Sequence, residues 1–263
     1  MGIVNVTPDS FSDGGRHAGV EAAVAHGLAL VAAGADILDV GGESTRPCAE
    51  PIAEDEELRR VAEVVRRLAT EAGVPVSIDT SKAAVAERAV DLGAEIINDV
   101  TGLEGDPRMI AVAQASGAGV VAMHMRGTPQ TMQLDPRYQD VVAEIHAYLA
   151  DRRDALEAVG IPRERLCVDP GIGFGKTHEH NVDLMRNAGR FLDLGVPILV
   201  GHSRKGFLAK IVERSLGRSA TEADRDAATA GAACGLTAQG IQVVRVHDVG
   251  RVRAVLEAFV SLR

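Results

Sequence analysis

The chain has 263 residues, of which 37 are acidic and 28 are basic, so its formal net charge is -9 at pH 7. This excess of negative charge repels polyanions over the whole surface, which argues against nucleic acid or an anionic membrane as the main partner. An anionic ligand then requires a local basic pocket. The length fits a single α/β barrel, since such barrels commonly run to roughly 250 residues as one domain.

The three cysteines, Cys48, Cys167 and Cys234, are far apart and form no CxxC pair. Their odd number and wide spacing favour reduced thiols over a disulfide framework or a zinc site. We expect no cleavable leader, because the chain opens without a basic and apolar segment, and no apolar run approaches the roughly 18 residues of a membrane span. These features predict a cytoplasmic protein that does not associate with a membrane.

Short β-branched runs alternate along the chain with longer Ala/Leu/Val patterns of helical period, which indicates repeated βα units and a parallel sheet. The predicted strands, in chain order, are Gly2–Asn5, Ile37–Val40, Val76–Asp79, Ile96–Asn98, Val120–Met123, Cys167–Asp169, Ile198–Gly201 and Val243–Arg245. The predicted helices are Val20–Ala33, Glu54–Ala72, Ala83–Leu92, Pro107–Ala115, Asp140–Ala158, Glu179–Asn187, Lys205–Val212, Glu222–Ala238 and Gly250–Phe259. Eight βα units without a linker favour a closed (β/α)8 TIM barrel, a single domain over residues 1–263, rather than an open doubly wound sheet.

Two loops that follow predicted strands are long and polar: TPDSFSDGGRHAG after the first strand and GGESTRPCAEPIAEDE after the second. Barrel enzymes carry their chemistry on the C-terminal face, in the loops that follow strands. Both loops are rich in Gly, Pro, Ser and Asp, so we interpret each as a segment that closes over a ligand. The alternative is that they are ordinary connecting loops.

Four polar residues stand where apolar strands give way to loops: Asn5, Asp79, Asn98 and Asp169. Taken singly, each is a possible cap or turn residue. Together they predict a polar ring with few charges at one mouth of the barrel. Carboxylate and amide groups match a nitrogen heterocycle with an amide-like edge, because Asp accepts two donors and Asn both donates and accepts.

A glycine-rich segment, DPGIGFGKT at residues 169–177, resembles a phosphate loop at first sight. A GxxxxGK[ST] loop needs a glycine where Pro170 stands, and a GxGxxG loop needs one where Lys176 stands. The sequence therefore predicts neither. It predicts an acidic strand end, Asp169, followed by glycines that let the backbone come close to a flat or anionic ligand.

Basic residues follow the second, seventh and eighth predicted strands: Arg46, Arg204, Lys205, Arg245 and His247. Barrels often bind phosphate in the loops after strands seven and eight, partly through a helix N-terminus. These residues predict a local cationic pocket on an acidic protein.

The sequence contains no evident nucleophile, because it has no GxSxG elbow and no cysteine placed beside a histidine. The histidines His124, His178 and His180 have metal-like spacing but no carboxylates clustered beside them. We interpret them as histidines at the surface or behind the site rather than as metal ligands.

Seven motifs follow one another along the chain: NVTPDSFSDGG (5–15), GGESTRP (41–47), SIDTSK (77–82), IINDV (96–100), DPGIGFGKT (169–177), SRK (203–205) and RVHDV (245–249). In this order, the motifs resemble those of the bacterial dihydropteroate synthases over essentially the whole chain. The resemblance implies a pterin-binding TIM barrel that condenses (7,8-dihydropterin-6-yl)methyl diphosphate with p-aminobenzoate, giving 7,8-dihydropteroate and pyrophosphate in folate biosynthesis. It also implies Mg²⁺, a homodimer, and inhibition by sulfonamides, which mimic the benzoate.

The resemblance assigns residues to each part of such a site. The pterin diphosphate is assigned Thr45, Asp79, Asn98, Met123, Asp169, Lys205, Arg245 and His247. The p-aminobenzoate is assigned Phe11, Arg46, Pro47, Phe174, Ser203 and Lys205. The metal is assigned Asn5, and the catalytic residues are Asp13, Asp169, Lys205 and Arg245.

One position departs from the family pattern, because Cys48 follows Pro47 where such enzymes usually have glycine. Glycine tolerates positive φ and cysteine does so poorly, which leaves the conformation of the second loop open. Two alternatives also stay open. A pterin-binding methyltransferase barrel shares the pterin residues but does not need STRP or SRK, and a non-catalytic paralogue binds pterin without turnover.

Overall fold

The computed structural model describes residues 1–7, 15–47 and 49–263. In that part of the chain, eight parallel strands follow in order: β1 Gly2–Asn5, β2 Leu38–Gly41, β3 Val76–Asp79, β4 Ile96–Asp99, β5 Gly119–Met123, β6 Leu166–Asp169, β7 Leu199–Val200 and β8 Val243–Val244. β1 to β6 pair in sequence order in one sheet, and β7 pairs with β8. Single bridges, Val168 with Ile198 and Gly2 with Val246, join the two sheets at both edges. The strands therefore form a ring, and the predicted (β/α)8 barrel is confirmed.

Helices connect the strands around the outside of this ring. They are α1 Gly15–Ala32, α2 Glu54–Glu71, α3 Ala83–Asp91, α4 Met109–Ser116, α5 Val141–Ala158, α6 His178–Arg186, α7 Gly206–Leu216, α8 Glu222–Ala238 and α9 Val249–Ser261. Short 3₁₀ helices lie at Arg163–Arg165 and Ala188–Leu194. None of the helices in these ranges is both long and apolar enough to cross a membrane.

The element bounds differ from prediction at α1, which begins at Gly15 rather than Val20, and near the seventh strand. β7 is only Leu199–Val200, shorter than the predicted Ile198–Gly201. α7 continues to Leu216, beyond the predicted end at Val212, and closes at Gly217, whose φ of 67° is left-handed. Such a C-terminal glycine is a common helix stop, because it has no Cβ to oppose positive φ.

Alternation along the strands separates two apolar clusters. Leu38, Val40 and Ile78 belong to the large core that packs against the helices. Val121 and Leu199 belong to a small cluster, which we place inside the barrel because their strand neighbours face the helices. The same alternation turns Asp39, Ser77, Asp79, Asn98 and Asp169 inward, whereas Asp99, next to Asn98, has the opposite parity. The inner face at the C-terminal end of the barrel is therefore polar.

Candidate active site

Strand register brings the predicted pterin-binding residues to one mouth of the barrel. Asp79 ends β3 and pairs with Asn98 of β4. Asp169 ends β6 and pairs with Met123 of β5. Asn5 ends β1 at the same mouth, beside Gly41. The carboxyl ends of parallel strands meet there, so these side chains share one cavity wall.

Arg245 points from the end of β8 across the interior of the barrel. Its Nε donates to Oδ2 of Asp39 at 2.5 Å, and its Nη2 donates to Oδ2 of Asp79 at 2.7 Å. The prediction of a ring with few charges is therefore wrong, because a guanidinium and two carboxylates stand at its centre. Asp39 escapes sequence-based prediction, since it lies in the middle of an apolar strand rather than at its end.

Burial changes the acid–base properties of the carboxyls at this mouth. It raises the pKa of Asp79 to about 7; the Arg245 guanidinium opposes this shift and the Asp39 carboxylate adds to it. Burial also raises the pKa of Asp169, against the opposing effects of the Gly171 N–H and of Lys205. A ligand that presents N–H donors to these groups favours their ionised form.

The glycine-rich segment after β6 is a tight turn packed on the preceding loop. Gly171, Gly173 and Gly175 all have positive φ, at 68°, 87° and 66°. The Gly171 N–H donates to Oδ1 of Asp169 at 2.7 Å. A Cβ added at Gly171 would overlap the carbonyl oxygen of His124, so only glycine fits there. The turn fixes the Asp169 carboxylate relative to the loop after β5.

Lys176, the residue that would be the phosphate lysine of a P-loop, points into the protein. Its side chain is buried, and Nζ donates to the Phe174 carbonyl at 2.9 Å and contacts Nδ1 of His124 at 3.0 Å. Burial holds its pKa well below the usual lysine value, and burial together with the Lys176 charge lowers the pKa of His124 to about 3. Lys176 therefore joins the loop after β6 to the loop after β5. His124 lies behind the site rather than at the surface.

Lys205, at the N-terminus of α7, reaches toward the same glycine turn. Its Nζ donates to the Ile172 carbonyl and lies 4.5 Å from the centre of the Phe174 ring. Burial lowers the pKa of Lys205 to about 8, while the Asp169 carboxylate acts in the opposite direction. An ammonium and an aromatic ring thus lie together, within the electrostatic influence of the Asp169 carboxylate.

Ser203 and His247 join the loops after β7 and β8. Oγ of Ser203 accepts a hydrogen bond from the His247 backbone N–H at 3.2 Å and lies 2.9 Å from its Nδ1. Burial, assisted by the nearby cations Arg204, Arg245 and Arg46, lowers the pKa of His247 to about 4. His247 is therefore neutral at pH 7, and it contributes hydrogen bonds rather than charge to the predicted cationic pocket.

Arg204 does not belong to that pocket, contrary to the prediction. Its guanidinium binds both carboxylate oxygens of Asp226, at 2.6 and 3.0 Å, and also contacts Glu222 at 2.6 Å. These partners lie on α8, so the side chain is directed away from Lys205. The backbone at Arg204 is left-handed, with a φ of 58°, so the chain turns between the adjacent cations Arg204 and Lys205.

The loop after β2 is anchored by charges that sequence reasoning missed. Glu43 accepts from the Ile52 N–H at 2.9 Å and from Nζ of Lys82 at 2.6 Å. Lys82 also contacts the buried carboxylate of Glu57 at 2.5 Å. Beyond this anchor Thr45 is half-buried, whereas the predicted benzoate residues Arg46 and Pro47 are exposed. Phe11, Asp13 and Cys48 lie outside the described residues.

Comparisons with known proteins identify the family of this chain. Residues 1–247 match the family model of the pterin binding enzyme. The dihydropteroate synthase of Escherichia coli is 43% identical over 251 residues, which cover 95% of this chain and 86% of that protein. The structure of Xanthomonas albilineans dihydropteroate synthase with 4-aminobenzoic acid has a TM-score of 0.92 at 45% identity, covering 100% of this chain and 92% of that one. The Yersinia pestis enzyme with a sulfonamide drug complex has a TM-score of 0.92 at 38% identity, covering 100% of this chain and 93% of that one. The chain belongs to the pterin binding enzymes and, among them, to the dihydropteroate synthases, which are transferases of folate biosynthesis.

Proposed function

We propose that the mouth of the barrel is where this chain condenses (7,8-dihydropterin-6-yl)methyl diphosphate with p-aminobenzoate. The observation that carries the proposal is the convergence of Asp79, Asn98 and Asp169 with Lys205 and Arg245 at the C-terminal ends of the strands. Acceptors for a nitrogen heterocycle and cations for a diphosphate lie within one cavity wall. The similar Xanthomonas albilineans enzyme, solved with 4-aminobenzoic acid, supports the second substrate.

The pterin ring lies against the six-stranded sheet. Asp169 pairs with the amino-pyrimidine edge, Asp79 and Asn98 bind further polar atoms of the ring, and Met123 packs on its face. The Asp169 carboxylate accepts only one hydrogen bond from the described residues, so it has acceptor capacity left for the ring.

p-Aminobenzoate lies between the glycine turn and the loop after β2. Its ring packs near Phe174 and Pro47, and its carboxylate is bound by Arg46 and Ser203. Lys205 stands between the two substrates, since its ammonium lies close to Phe174 and is influenced by Asp169. Sulfonamides occupy the same place, as the sulfonamide complex of the similar Yersinia pestis enzyme suggests.

The diphosphate lies between the second and eighth strands, bound by Thr45, Arg245 and His247. Arg245 is held by two carboxylates, and the diphosphate shares its remaining N–H donors. His247 adds neutral hydrogen bonds. These groups stabilise the negative charge that grows on the leaving group as the C–O bond breaks.

Asn5 is the proposed protein contact of Mg²⁺. Its side chain has no hydrogen-bond partner among the residues that the structure describes, and no group of three or more His, Cys, Asp or Glu among them could hold a metal. A single amide oxygen fits a cation that is held mainly by substrate phosphate and water, which is how Mg²⁺ is commonly bound. When bound with the diphosphate, Mg²⁺ supplies further neutralisation of the leaving group.

The substitution is dissociative. The aniline nitrogen of p-aminobenzoate is mostly unprotonated at neutral pH, so the barrier lies in the loss of diphosphate rather than in activating the amine. Asp169 and Asp13 stabilise the positive charge that develops on the pterin methylene, and the cationic groups stabilise the departing diphosphate. The exposed loop residues Arg46 and Pro47 then bring the amine to that carbon.

The first prediction separates this reaction from the alternatives. Wild-type protein with Mg²⁺ and the pterin diphosphate should release pyrophosphate, and p-aminobenzoate should be consumed in equal amount to form dihydropteroate. Asp169→Asn is the matched control, because it keeps the size of the side chain but replaces an acceptor by a donor. Its turnover should fall by at least tenfold, the scale of one mismatched buried hydrogen bond. A methyltransferase barrel or a non-catalytic paralogue would show no consumption of p-aminobenzoate.

The second prediction concerns pH. Because the pKa of Lys205 is lowered to about 8, the lysine loses its charge as the pH rises through this value, while the substrates remain anionic. The value of kcat/KM for the pterin diphosphate, which reports on the free enzyme, should halve near pH 8 and fall by about tenfold per further pH unit. Lys205→Arg, which stays charged, should flatten this limb even if its overall activity is lower. Superimposable profiles for the two proteins would rule out Lys205 as the titrating group.

The third prediction is an order of binding. Arg245 and Lys205 are already held by hydrogen bonds, to Asp39 and to the Ile172 carbonyl, whereas the Arg46 side chain is exposed and has no partner among the described residues. The diphosphate site therefore exists before the benzoate site, and pterin diphosphate binds first. A sulfonamide titrated by calorimetry should bind at least about tenfold more tightly when pyrophosphate and Mg²⁺ are present. Equal affinities would mean that the benzoate pocket is preformed.

The fourth prediction tests the proposed homodimer. The outer face of α8 carries two exposed glycines one turn apart, Gly231 and Gly235, and a Cβ added at either meets nothing within 4 Å. A larger side chain is thus accommodated in one chain but prevents a second helix from approaching closely. Wild-type protein should sediment as a dimer and Gly231→Leu as a monomer, while Ala147→Leu on the exposed face of α5 stays dimeric. A wild-type protein that sediments as one chain at micromolar concentration refutes the dimer.

A further inference from the structure

Asp39 is a buried acid that no substrate assignment uses. It lies in the middle of β2, its side chain is 0% exposed, and it is aligned with Ser77 on β3. Its depth places it below the residues of the mouth, so it does not touch a ligand there. Any effect of Asp39 on the reaction must therefore act through its neighbours.

One oxygen of Asp39 binds two residues of the proposed site. Oδ2 accepts from Nδ2 of Asn98 at 3.1 Å and from Nε of Arg245 at 2.5 Å. Asn98 and Arg245 come from strands on different sides of the barrel, β4 and the end of β8. Asp39 is thus the acceptor that the Asn98 and Arg245 side chains share.

The chemistry of this acceptor fixes the orientation of the Asn98 amide. An ionised carboxylate only accepts hydrogen bonds, so it selects the NH2 end of the amide and excludes the carbonyl end. Nδ2 of Asn98 is therefore committed to Asp39, and Oδ1 is left on the other side of the group. Without such a partner, the two ends of an amide are nearly equal in shape and can exchange places.

The second oxygen of Asp39 is a buried atom without a partner. Oδ1 of Asp39 is buried and has no hydrogen-bond partner among the described residues. A buried, unpaired carboxylate oxygen is unfavourable and is uncommon in folded proteins. A role for the other oxygen in the site accounts for its presence.

We propose that Asp39 is a positioning residue for pterin recognition, which orients the Asn98 amide so that its carbonyl oxygen faces the ring. The inference rests on the proposed function, because it takes the pterin as the ligand of Asn98. Its consequence is specificity: this wall of the pocket offers an acceptor and selects a heterocycle with an N–H donor at that edge. The hydrogen bond that Asp39 accepts from Arg245 also holds the guanidinium away from the space proposed for the pterin ring.

Calorimetry with 6-hydroxymethylpterin tests the proposal, because this probe lacks the diphosphate and so excludes direct effects on phosphate binding. The variants are Asp39→Leu, which removes the acceptor at similar size, Asp39→Asn, whose carbonyl can still accept, Asn98→Ala, and the double variant Asp39→Leu with Asn98→Ala. Thermal melting checks that each variant is folded. Asp39→Ser replaces Asp39→Leu if the latter does not fold, since Ser77 shows a hydroxyl buried at the same level of the barrel.

Asp39→Leu should weaken pterin binding by about tenfold or more, the scale of one lost buried hydrogen bond, while Asp39→Asn stays within about threefold of wild type. In the Asn98→Ala background, loss of Asp39 should have little further effect, because both changes remove the same interaction. In steady-state assays the KM for pterin diphosphate should rise while the KM for p-aminobenzoate is unchanged.

Two results would overturn the proposal: unchanged pterin affinity in Asp39→Leu, or losses that simply add in the double variant. The second would mean that Asp39 supports the barrel in general rather than the Asn98 amide. A wild-type protein that does not bind 6-hydroxymethylpterin would instead contradict the proposed function. The two failures are therefore distinguishable.

Discussion

The site depends on one half-buried guanidinium, that of Arg245, placed between two carboxylates. A charge removed from water is strongly unfavourable unless it is paired and hydrogen-bonded, so Arg245, Asp39 and Asp79 must be arranged together. Their strands come from three places in the ring, and the geometry of the ion pairs fixes how these strands face one another. Burial raises the pKa of Asp79 to about 7, and the neighbouring Asp39 carboxylate adds to this shift. A ligand that carries both N–H donors and a diphosphate matches this arrangement, because the donors suit the carboxylate and the diphosphate suits the guanidinium.

Close backbone packing supplies the second constraint. The turn after β6 has no side chains where it meets the loop after β5, and Lys176 fills the space behind it. Lys176 is buried and donates to the Phe174 carbonyl, whereas Lys205 is partly exposed and its ammonium lies 4.5 Å from the centre of the Phe174 ring. Of these two lysines, only Lys205 is assigned to the substrates.

The sequence predicts the barrel and the strand-end residues because both follow from simple periodicities. Asp79, Asn98 and Asp169 end apolar runs, so alternation and strand direction bring them to one mouth. Asp39 interrupts an apolar strand, and no local pattern shows which distant residues it binds. Arg204 and Lys205 are adjacent in sequence, yet the left-handed backbone at Arg204 sends its side chain to α8. The neutrality of His247 depends on burial beside cations from three loops, which is equally invisible in the sequence.

The strands of the ring are not all paired over the same length. The six strands that receive the proposed pterin contacts are paired continuously, while β7 and β8 pair over two residues and meet the others through single bridges. The loops after β7 and β8 carry Ser203, Lys205, Arg245 and His247. The proposed site therefore spans both parts of the ring: the heterocycle, which stays the same from substrate to product, is assigned to the continuously paired strands, and the diphosphate, which leaves in each cycle, is assigned to the loops after the two strands with the shortest pairing.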